Sequence, residues 1–196
     1  MKVIGITGGI GSGKSLVTAI LEKQYQAHIL NTDQIAKQQM DIGGKSYEGV
    51  IDFFGSQILR EDATIDRSAL AKIVFDDKDK LRKLNDLTHP AVREAVQQEI
   101  NQWEKRGIVP YLVIETALMI EAEFDLHCNE VWYVYSSETN RRKRLKEDRN
   151  YTDEKINSIF ASQCKDEEFR KKFSKVIDNN GDRKWIEKQV ELLIEE

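Results

Sequence analysis

The stretch that decides the reading of this chain is GITGGIGSGKS, residues 5–15. It places five glycines and one lysine in eleven residues. The apolar, β-branched run at 3–7 leads into it and reads as a buried strand. Residues 14–25 follow, with Leu16, Val17, Ile20 and Leu21 at helical spacing. Gly8, Gly13, Lys14 and Ser15 therefore fit G-x-x-x-x-G-K-[ST] between a strand and a helix, the context this pattern requires. Glycines let the backbone turn with its N–H groups inward, making an anion nest. The helix N-terminus adds roughly half a positive charge. Lys14 would reach the β- and γ-phosphates, and the Ser15 hydroxyl would bind Mg²⁺. The loop implies a nucleoside triphosphate with Mg²⁺. It does not say what receives the phosphate.

Working outward, residues 28–30 predict a second strand, followed by Asn31, Thr32, Asp33 and a helical run through Met40. Residues 41–107 carry little strand signal. Helices are expected at 68–74 and at 90–103, where Val92, Val96, Ile100 and Trp103 share a face and Pro90 suits the first turn. Residues 111–115 are apolar and then abruptly acidic, a buried strand ending in Glu115. EVWYVY at 130–135 reads as a fourth strand, and 139–146 as a very basic helix. Thr152 is the expected N-cap of a helix running to about Gln163. Val176 and Ile177 precede a strand end and turn, and 185–194 closes as a helix. This alternation predicts a parallel sheet covered on both faces, with an α-helical insertion between the second and third strands.

The chain has 196 residues, 40% hydrophobic and 33% charged, enough for one sizeable core and a smaller satellite domain. Its net charge of −4 argues against a general nucleic-acid binder. No apolar run approaches the roughly 20 residues that cross a bilayer. The opening residues lack the apolar region and cleavage site of a signal peptide, so no membrane association and a cytoplasmic location are expected. Cys128 and Cys164 have no metal-like spacing and read as reduced structural thiols. His28 and His127 read as structural, and Trp103, Trp132 and Trp185 as core residues.

A guanine-nucleotide switch would need N-K-x-D after a late strand, and Asn179-Asn180-Gly181-Asp182 does not fit it. The D-x-x-G match at 52–55 lacks a strong preceding strand, and an ATP-driven motor usually needs more chain. A small-molecule kinase fits better. It needs an acceptor site, a group to orient the acceptor hydroxyl, and cations around the transferring phosphoryl. Asp33 sits just past the second strand, near the carboxyl edge where ligands bind in such sheets. It could accept the hydroxyl proton or help hold Mg²⁺, or it could simply cap the helix at 34–40. The run Arg141, Arg142, Lys143, Arg144, with Lys146 and Arg149, reads either as lid arginines closing over phosphates or as a solvated face paired with Glu138, Glu147 and Asp148. Glu115 is either the carboxylate of a Mg²⁺ shell or an ordinary strand end.

Taken together, several stretches resemble the dephospho-CoA kinase family. IGITGGIGSGKS looks like that family's P-loop. NTDQIAK resembles its D-x-D-x-I-A segment, and FGSQILREDATIDRSALAKIVF its FG-x-x-IL…DG-x-(I/L)-(D/N)-R-x-x-L…VF signature. LTHP at 87–90 resembles its HP motif, VIETALMIEAEFD its D-x-P-L-L-x-E strand and turn, and VIDNNGD its closing V-I-x-N-x-G. The resemblance runs from residue 3 to about 182.

It implies an α/β fold of the P-loop NTPase, nucleotide-kinase-like kind: a three-layer α/β/α parallel sheet with a helical substrate-binding insertion and a helical lid. The implied division is an ATP-binding core at 1–40, 108–137 and 174–196, an acceptor domain at 41–107, and a lid with its following helices at 138–173. The implied reaction transfers the γ-phosphoryl of ATP to the ribose 3′-hydroxyl of dephospho-CoA, with Mg²⁺, as the last step of coenzyme A synthesis, in a monomer or weak homo-oligomer. Carried over by position, Gly9, Gly11, Ser12, Gly13, Lys14, Ser15 and Leu16 hold the ATP phosphates. Asn179 to Gly181 lie where the adenine edge is met. Asp33 is the base or hydroxyl-orienting group, and Arg67, His89 and Pro90 belong to the acceptor side. Arg141 and Arg144 are the lid arginines, and Ser15 and Glu115 the metal residues.

The departures are Asn31 for the first Asp two residues before Asp33, Glu115 for Asp, Ala117 for Pro and Ala63 for Gly. The lid's usual Arg-Asp pair reads Asp148-Arg149, so either Arg149 takes over the arginine's role on ATP or the contact shifts. Two alternatives stay open: a P-loop kinase of another nucleoside or nucleotide, and an ATP-binding regulatory protein that has lost turnover.

Overall fold

The computed structural model describes residues 1–75 and 77–196. They form two compact units, Met1–Leu30 with Gln102–Glu196, and Asn31–Asn101.

The first unit is built on a five-stranded sheet of order β2-β3-β1-β4-β5. Its strands are β1 (Lys2–Thr7), β2 (His28–Asn31), β3 (Tyr111–Glu115), β4 (Glu130–Tyr135) and β5 (Lys175–Asp178). β1 is central and runs parallel to both β3 and β4, and β4 runs parallel to β5. Parallel strands are buried on both faces, which is why they read as continuous apolar runs rather than alternating ones. The pairing Ile6↔Glu115 brings the end of β3 level with the last turn of β1, and Tyr135↔Asp178 brings Asn179 just past the end of β4. The carboxyl edge thus collects the glycine loop, Glu115, Ser136 and Asn179.

Helices α1 (Lys14–Tyr25) and α9 (Arg183–Glu195) close one part of this core. Val17, Ile20 and Leu21 of α1 pack with Ile186 and Val190 of α9 over Ile4, Ile6, Val113, Trp132, Val134 and Ile177. α6 (Glu138–Arg149) starts at Ser137, whose side chain accepts from the Asn140 amide, and α7 (Asp153–Ser162) starts at Thr152, as expected. α8 (Asp166–Lys172) was not anticipated. It docks on β4 through Phe169, whose ring stacks on Tyr133 with centroids 4.7 Å apart.

The second unit is all but helical: α2 (Thr32–Gln39), α3 (Tyr47–Phe54), a 3-10 turn at Ser56–Ile58, α4 (Arg67–Phe75) and most of α5 (Lys78–Arg106). One antiparallel bridge joins Leu59 to Ile65. Its core is Tyr47, Val50, Phe54, Ile58, Ile65 and Leu70, with Leu84 and Leu87 packed against it.

Three expectations are corrected. Pro90 does not open its helix; it lies inside α5, which begins at Lys78. Pro90 removes one helical hydrogen bond, but Leu84 and Leu87 of the preceding turns are drawn onto the second core, and that burial outweighs the local cost. The closing helix begins at Arg183, because the Asp182 side chain caps it by accepting from the Trp185 amide at 2.9 Å. Trp185 itself is 47% exposed and is not a core residue. Trp132 is fully buried, and Trp103 stacks on His28 at 3.9 Å between centroids.

Cys128 and Cys164 are free thiols, and burial pushes each up to about 12. No helix among the described residues is long and apolar enough to cross a membrane.

Candidate active site

The glycine loop turns out of β1 at Gly8 and into α1 at Gly13. Gly13 is the N-cap of α1 with φ of +96°, a left-handed backbone that side chains rarely adopt. A Cβ there would also collide with the Asn179 side-chain amide, which donates to the Ser12 carbonyl at 2.6 Å. Gly9 is required for a different reason, since the Arg141 guanidinium occupies the space a Cβ would fill. The loop and its neighbours are thus built for close approach of backbone to cation.

Lys14 Nζ donates to the Gly8 carbonyl at 2.8 Å and to that of Gly9 at 3.4 Å, so the ammonium stays over the loop. Ser12 is 1% exposed, and its hydroxyl has no hydrogen-bond partner among the described residues. An orphaned hydroxyl in a glycine loop at a helix N-terminus suits a phosphate oxygen as acceptor. Leu16 follows, half-buried against the core, with its amide donating to the Gly13 carbonyl at 3.0 Å.

Ser15 Oγ donates to Glu115 Oε1 at 2.9 Å. Ser15 is exposed, whereas Glu115 is 8% exposed. Two hard oxygen donors side by side at the mouth of a phosphate nest fit Mg²⁺, which takes one or two protein oxygens and fills its octahedron with phosphate and water. Glu115 in place of Asp still meets Ser15.

Arg141 and Arg144 both reach the loop from α6. Arg141 Nε donates to the Ile10 carbonyl at 2.9 Å, and its guanidinium lies 4.2 Å over the Phe160 ring. Burial holds its pKa below the usual arginine value. Arg144 Nη1 donates to the carbonyls of Gly11 at 3.2 Å and Ser12 at 3.3 Å, and its Nη2 to that of Asn179 at 2.9 Å. Arg144 is therefore a clasp between the glycine loop and the turn after β5. Arg142 instead takes the alternative weighed for the basic run, an i,i+4 pair with Glu138 at 2.9 Å. Lys146 pairs with Asp153 at 2.8 Å. Arg149 is the last residue of α6 and is exposed. Gly181 lies against the Trp185 ring.

Asp33, Arg67, His89 and Pro90 belong to the other unit. Asp33 is exposed in the first turn of α2, but it is not the cap. Asn31 is, its side chain accepting from the Gln34 amide at 3.1 Å. The residue that departs from the family pattern thus does the capping and leaves the Asp33 carboxylate exposed. Arg67 opens α4 and donates to Asp41 at 2.6 Å and to the Lys37 carbonyl at 3.0 Å, near the end of α2. His89 and Pro90 sit side by side in α5, half-buried and exposed respectively.

Sequence reasoning missed one residue, Gln163, and placed Asn180 only at the adenine edge. Asn180 Oδ1 accepts from the Ser137 amide at 2.9 Å and from Asn140 Nδ2 at 3.0 Å, tying the turn after β5 to the start of α6. Its signal was the NNG turn. Gln163 Oε1 accepts from the Ile10 amide at 2.9 Å, and no local pattern marks it.

A family model described as Dephospho-CoA kinase matches residues 2–184. The dephospho-CoA kinase of Carboxydothermus hydrogenoformans is 37% identical over 190 residues, covering 97% of this chain and 91% of its own. Among solved structures, TT1252 from Thermus thermophilus superposes with a TM-score of 0.81 at 25% identity, covering 99% and 96% of the two chains. Dephospho-CoA kinase from Campylobacter jejuni superposes with a TM-score of 0.63 at 22% identity, covering 99% and 96%, and bears on the fold alone.

Proposed function

The chain belongs to the dephospho-CoA kinase family, and on that premise we propose that it transfers the γ-phosphoryl group of ATP to the ribose 3′-hydroxyl of dephospho-CoA, giving coenzyme A and ADP. The observation that carries this reading is the family match along nearly the whole chain joined to a P-loop whose parts remain in contact: Lys14, Ser15 with Glu115, Arg141 and Arg144.

Phosphoryl transfer leaves little covalent work for a protein, so positioning and charge carry the catalysis. In this reading Gly9, Gly11, Ser12, Gly13, Lys14, Ser15 and Leu16 hold the ATP phosphates, and Lys14 follows the charge of the moving phosphoryl. Ser15 and Glu115 would hold Mg²⁺, which would supply charge neutralisation at the phosphates. Arg141 and Arg144 complete the cationic surround. Asn179 and Gly181 take the adenine edge, and Arg149 closes on ATP from the end of α6. Asp33 accepts or orients the proton of the 3′-hydroxyl. Arg67, His89 and Pro90, within an acceptor domain at 41–107, bind the CoA moiety. Residues 138–173 act as the lid that keeps water from the γ-phosphate. A cytoplasmic monomer or weak homo-oligomer completes the proposal.

The non-catalytic alternative draws on the changes at 115, 117 and 148–149, and the retained Ser15–Glu115 contact weighs against it. The deciding experiment is ADP release by the purified chain with ATP and Mg²⁺, with and without dephospho-CoA, and with AMP, uridine and shikimate as controls. Release that depends on dephospho-CoA, with 3′-phosphorylated product confirmed by mass, is expected. Binding of ATP without turnover on any acceptor would overturn the kinase reading, and turnover on another acceptor would move the substrate.

A further inference from the structure

One oxygen in the first unit faces two donors from distant parts of the chain. Gln163 Oε1 accepts from the Ile10 amide at 2.9 Å and from Arg141 Nη2 at 3.4 Å. Arg141 in turn donates through Nε to the Ile10 carbonyl at 2.9 Å. The three residues close a ring: the Ile10 amide to Gln163, Gln163 to Arg141, and Arg141 back to the Ile10 carbonyl in the next peptide unit. Because both neighbours are donors, the amide must turn its oxygen toward them. Phe160, one turn earlier on α7, lies beneath the Arg141 guanidinium, 4.2 Å from its central carbon to the ring centroid. The end of α7 therefore gives the arginine both its platform and its orientation.

We infer that Gln163 is a positioning residue for phosphoryl transfer, fixing the tip of the P-loop and the aim of Arg141 through a single carbonyl oxygen. This rests on the proposed function, in which Arg141 meets the phosphates. Ile10 lies between Gly9 and Gly11 in a turn closed by the Ser12 amide donating to the Gly9 carbonyl at 3.1 Å, a bond that leaves the Ile10 amide and carbonyl to partners outside the loop. The anchor is neutral for a reason. A carboxylate would accept the same two bonds, but it would pair with Arg141 and set a negative charge near the triphosphate. An amide aims the arginine without spending its charge.

The test is a double-mutant cycle on the full chain: Gln163→Leu, Arg141→Ala and the pair, with Gln163→Glu beside them. Steady-state turnover of ATP with dephospho-CoA is measured, with ATP affinity from a fluorescent ATP analogue and a melting curve for each protein. Gln163→Leu is expected to lower kcat about tenfold or more and to leave the KM for dephospho-CoA within about twofold. In the Arg141→Ala background the same change is expected to cost almost nothing, because the two residues act as one unit. Gln163→Glu is expected to melt like the wild type and to raise the KM for ATP, which a purely structural role would not do. Wild-type kcat in Gln163→Leu, or fully multiplicative losses in the pair, would overturn the inference. Wild-type turnover of dephospho-CoA reads the proposed function separately. If that reading failed, the cycle would still be read on ATP affinity alone. There Gln163→Leu and Arg141→Ala should each weaken binding roughly three- to tenfold without adding, and additive or absent effects would sink the idea.

Discussion

Ser15 and Glu115, 100 residues apart, meet through a 2.9 Å hydrogen bond from hydroxyl to carboxylate. The contact follows from the register of β1 with β3, which brings the end of β3 beside the loop leaving β1. If the pair holds Mg²⁺, the charge of Glu115 matters more than its hydrogen bond. Glu115→Gln keeps the size and an acceptor but loses the charge, and should raise the Mg²⁺ needed for half-maximal activity by about tenfold or more. A Mg²⁺ titration of initial rates checks this. An unchanged midpoint would leave Glu115 a strand end that happens to touch Ser15.

Asp33 separates catalysis from folding cleanly, because Asn31 already caps α2. Asp33→Asn should lower kcat by about 10²- to 10⁴-fold, the usual worth of a positioned acid or base, while leaving the melting temperature near that of the wild type. Steady-state kinetics beside a melting curve make the comparison. Retained turnover would remove Asp33 from the chemistry, and a large loss of stability would mean that its place in the first turn of α2 matters more than its carboxylate.

The P-loop and the strands were legible because their signals are local. The glycine pattern needs only its flanking strand and helix, and buried parallel strands show as short apolar runs. The course of α5 through Pro90 was not legible, because the force that overrides the proline is the docking of Leu84 and Leu87 on a core assembled from other segments. α8 was not legible either: DEEFRKK is polar, and its one buried residue, Phe169, sets no period. At the site, residue types could nominate Lys14, Glu115 and Arg141. They could not show that Arg144 spends its fork on the carbonyls of Gly11, Ser12 and Asn179, or that Gln163 faces Ile10. Those facts exist only once residues far apart in the chain converge.

Ala63 carries a departure from the family pattern into backbone strain. By the resemblance of its segment to the family signature it replaces the usual glycine, and its φ is +63°. The turn is held there by the Arg60 amide donating to the Thr64 carbonyl at 2.9 Å and by the Tyr47 hydroxyl donating to the Ala63 carbonyl at 2.5 Å. A left-handed non-glycine residue costs about 1–2 kcal/mol, and the extra freedom of glycine in the unfolded chain returns roughly 0.4–1 kcal/mol of that. Ala63→Gly should therefore stabilise the chain modestly and raise the melting temperature by about 2–4 °C. A lower melting temperature would mean the turn gains more from the methyl group than it loses in strain.

Glu130 ties the amino ends of three strands together, and its titration should be visible as acid sensitivity. Its carboxylate accepts from Lys2 at 2.9 Å, Lys175 at 3.0 Å and the Trp132 indole N–H at 2.7 Å. Burial alone would raise its pKa, but these donors outweigh burial and hold it below the usual glutamate value. A carboxylate depressed in the folded state adds stability that is full above its unfolded pKa, about 4.3, and fades as pH falls through the lower folded value. Burial would lower the Lys175 pKa, but its contacts with Glu130 and Glu196 outweigh that and raise it, so its share is kept until pH rises past the ordinary lysine range. Glu130→Gln should therefore cost about 1–2 kcal/mol at pH 7, and the gap from wild type should close as pH is lowered below about 4. Denaturant melts of both proteins from pH 3 to 8 read this out directly. A gap that stays constant with pH would mean that Glu130 acts through packing and hydrogen bonding rather than through its charge.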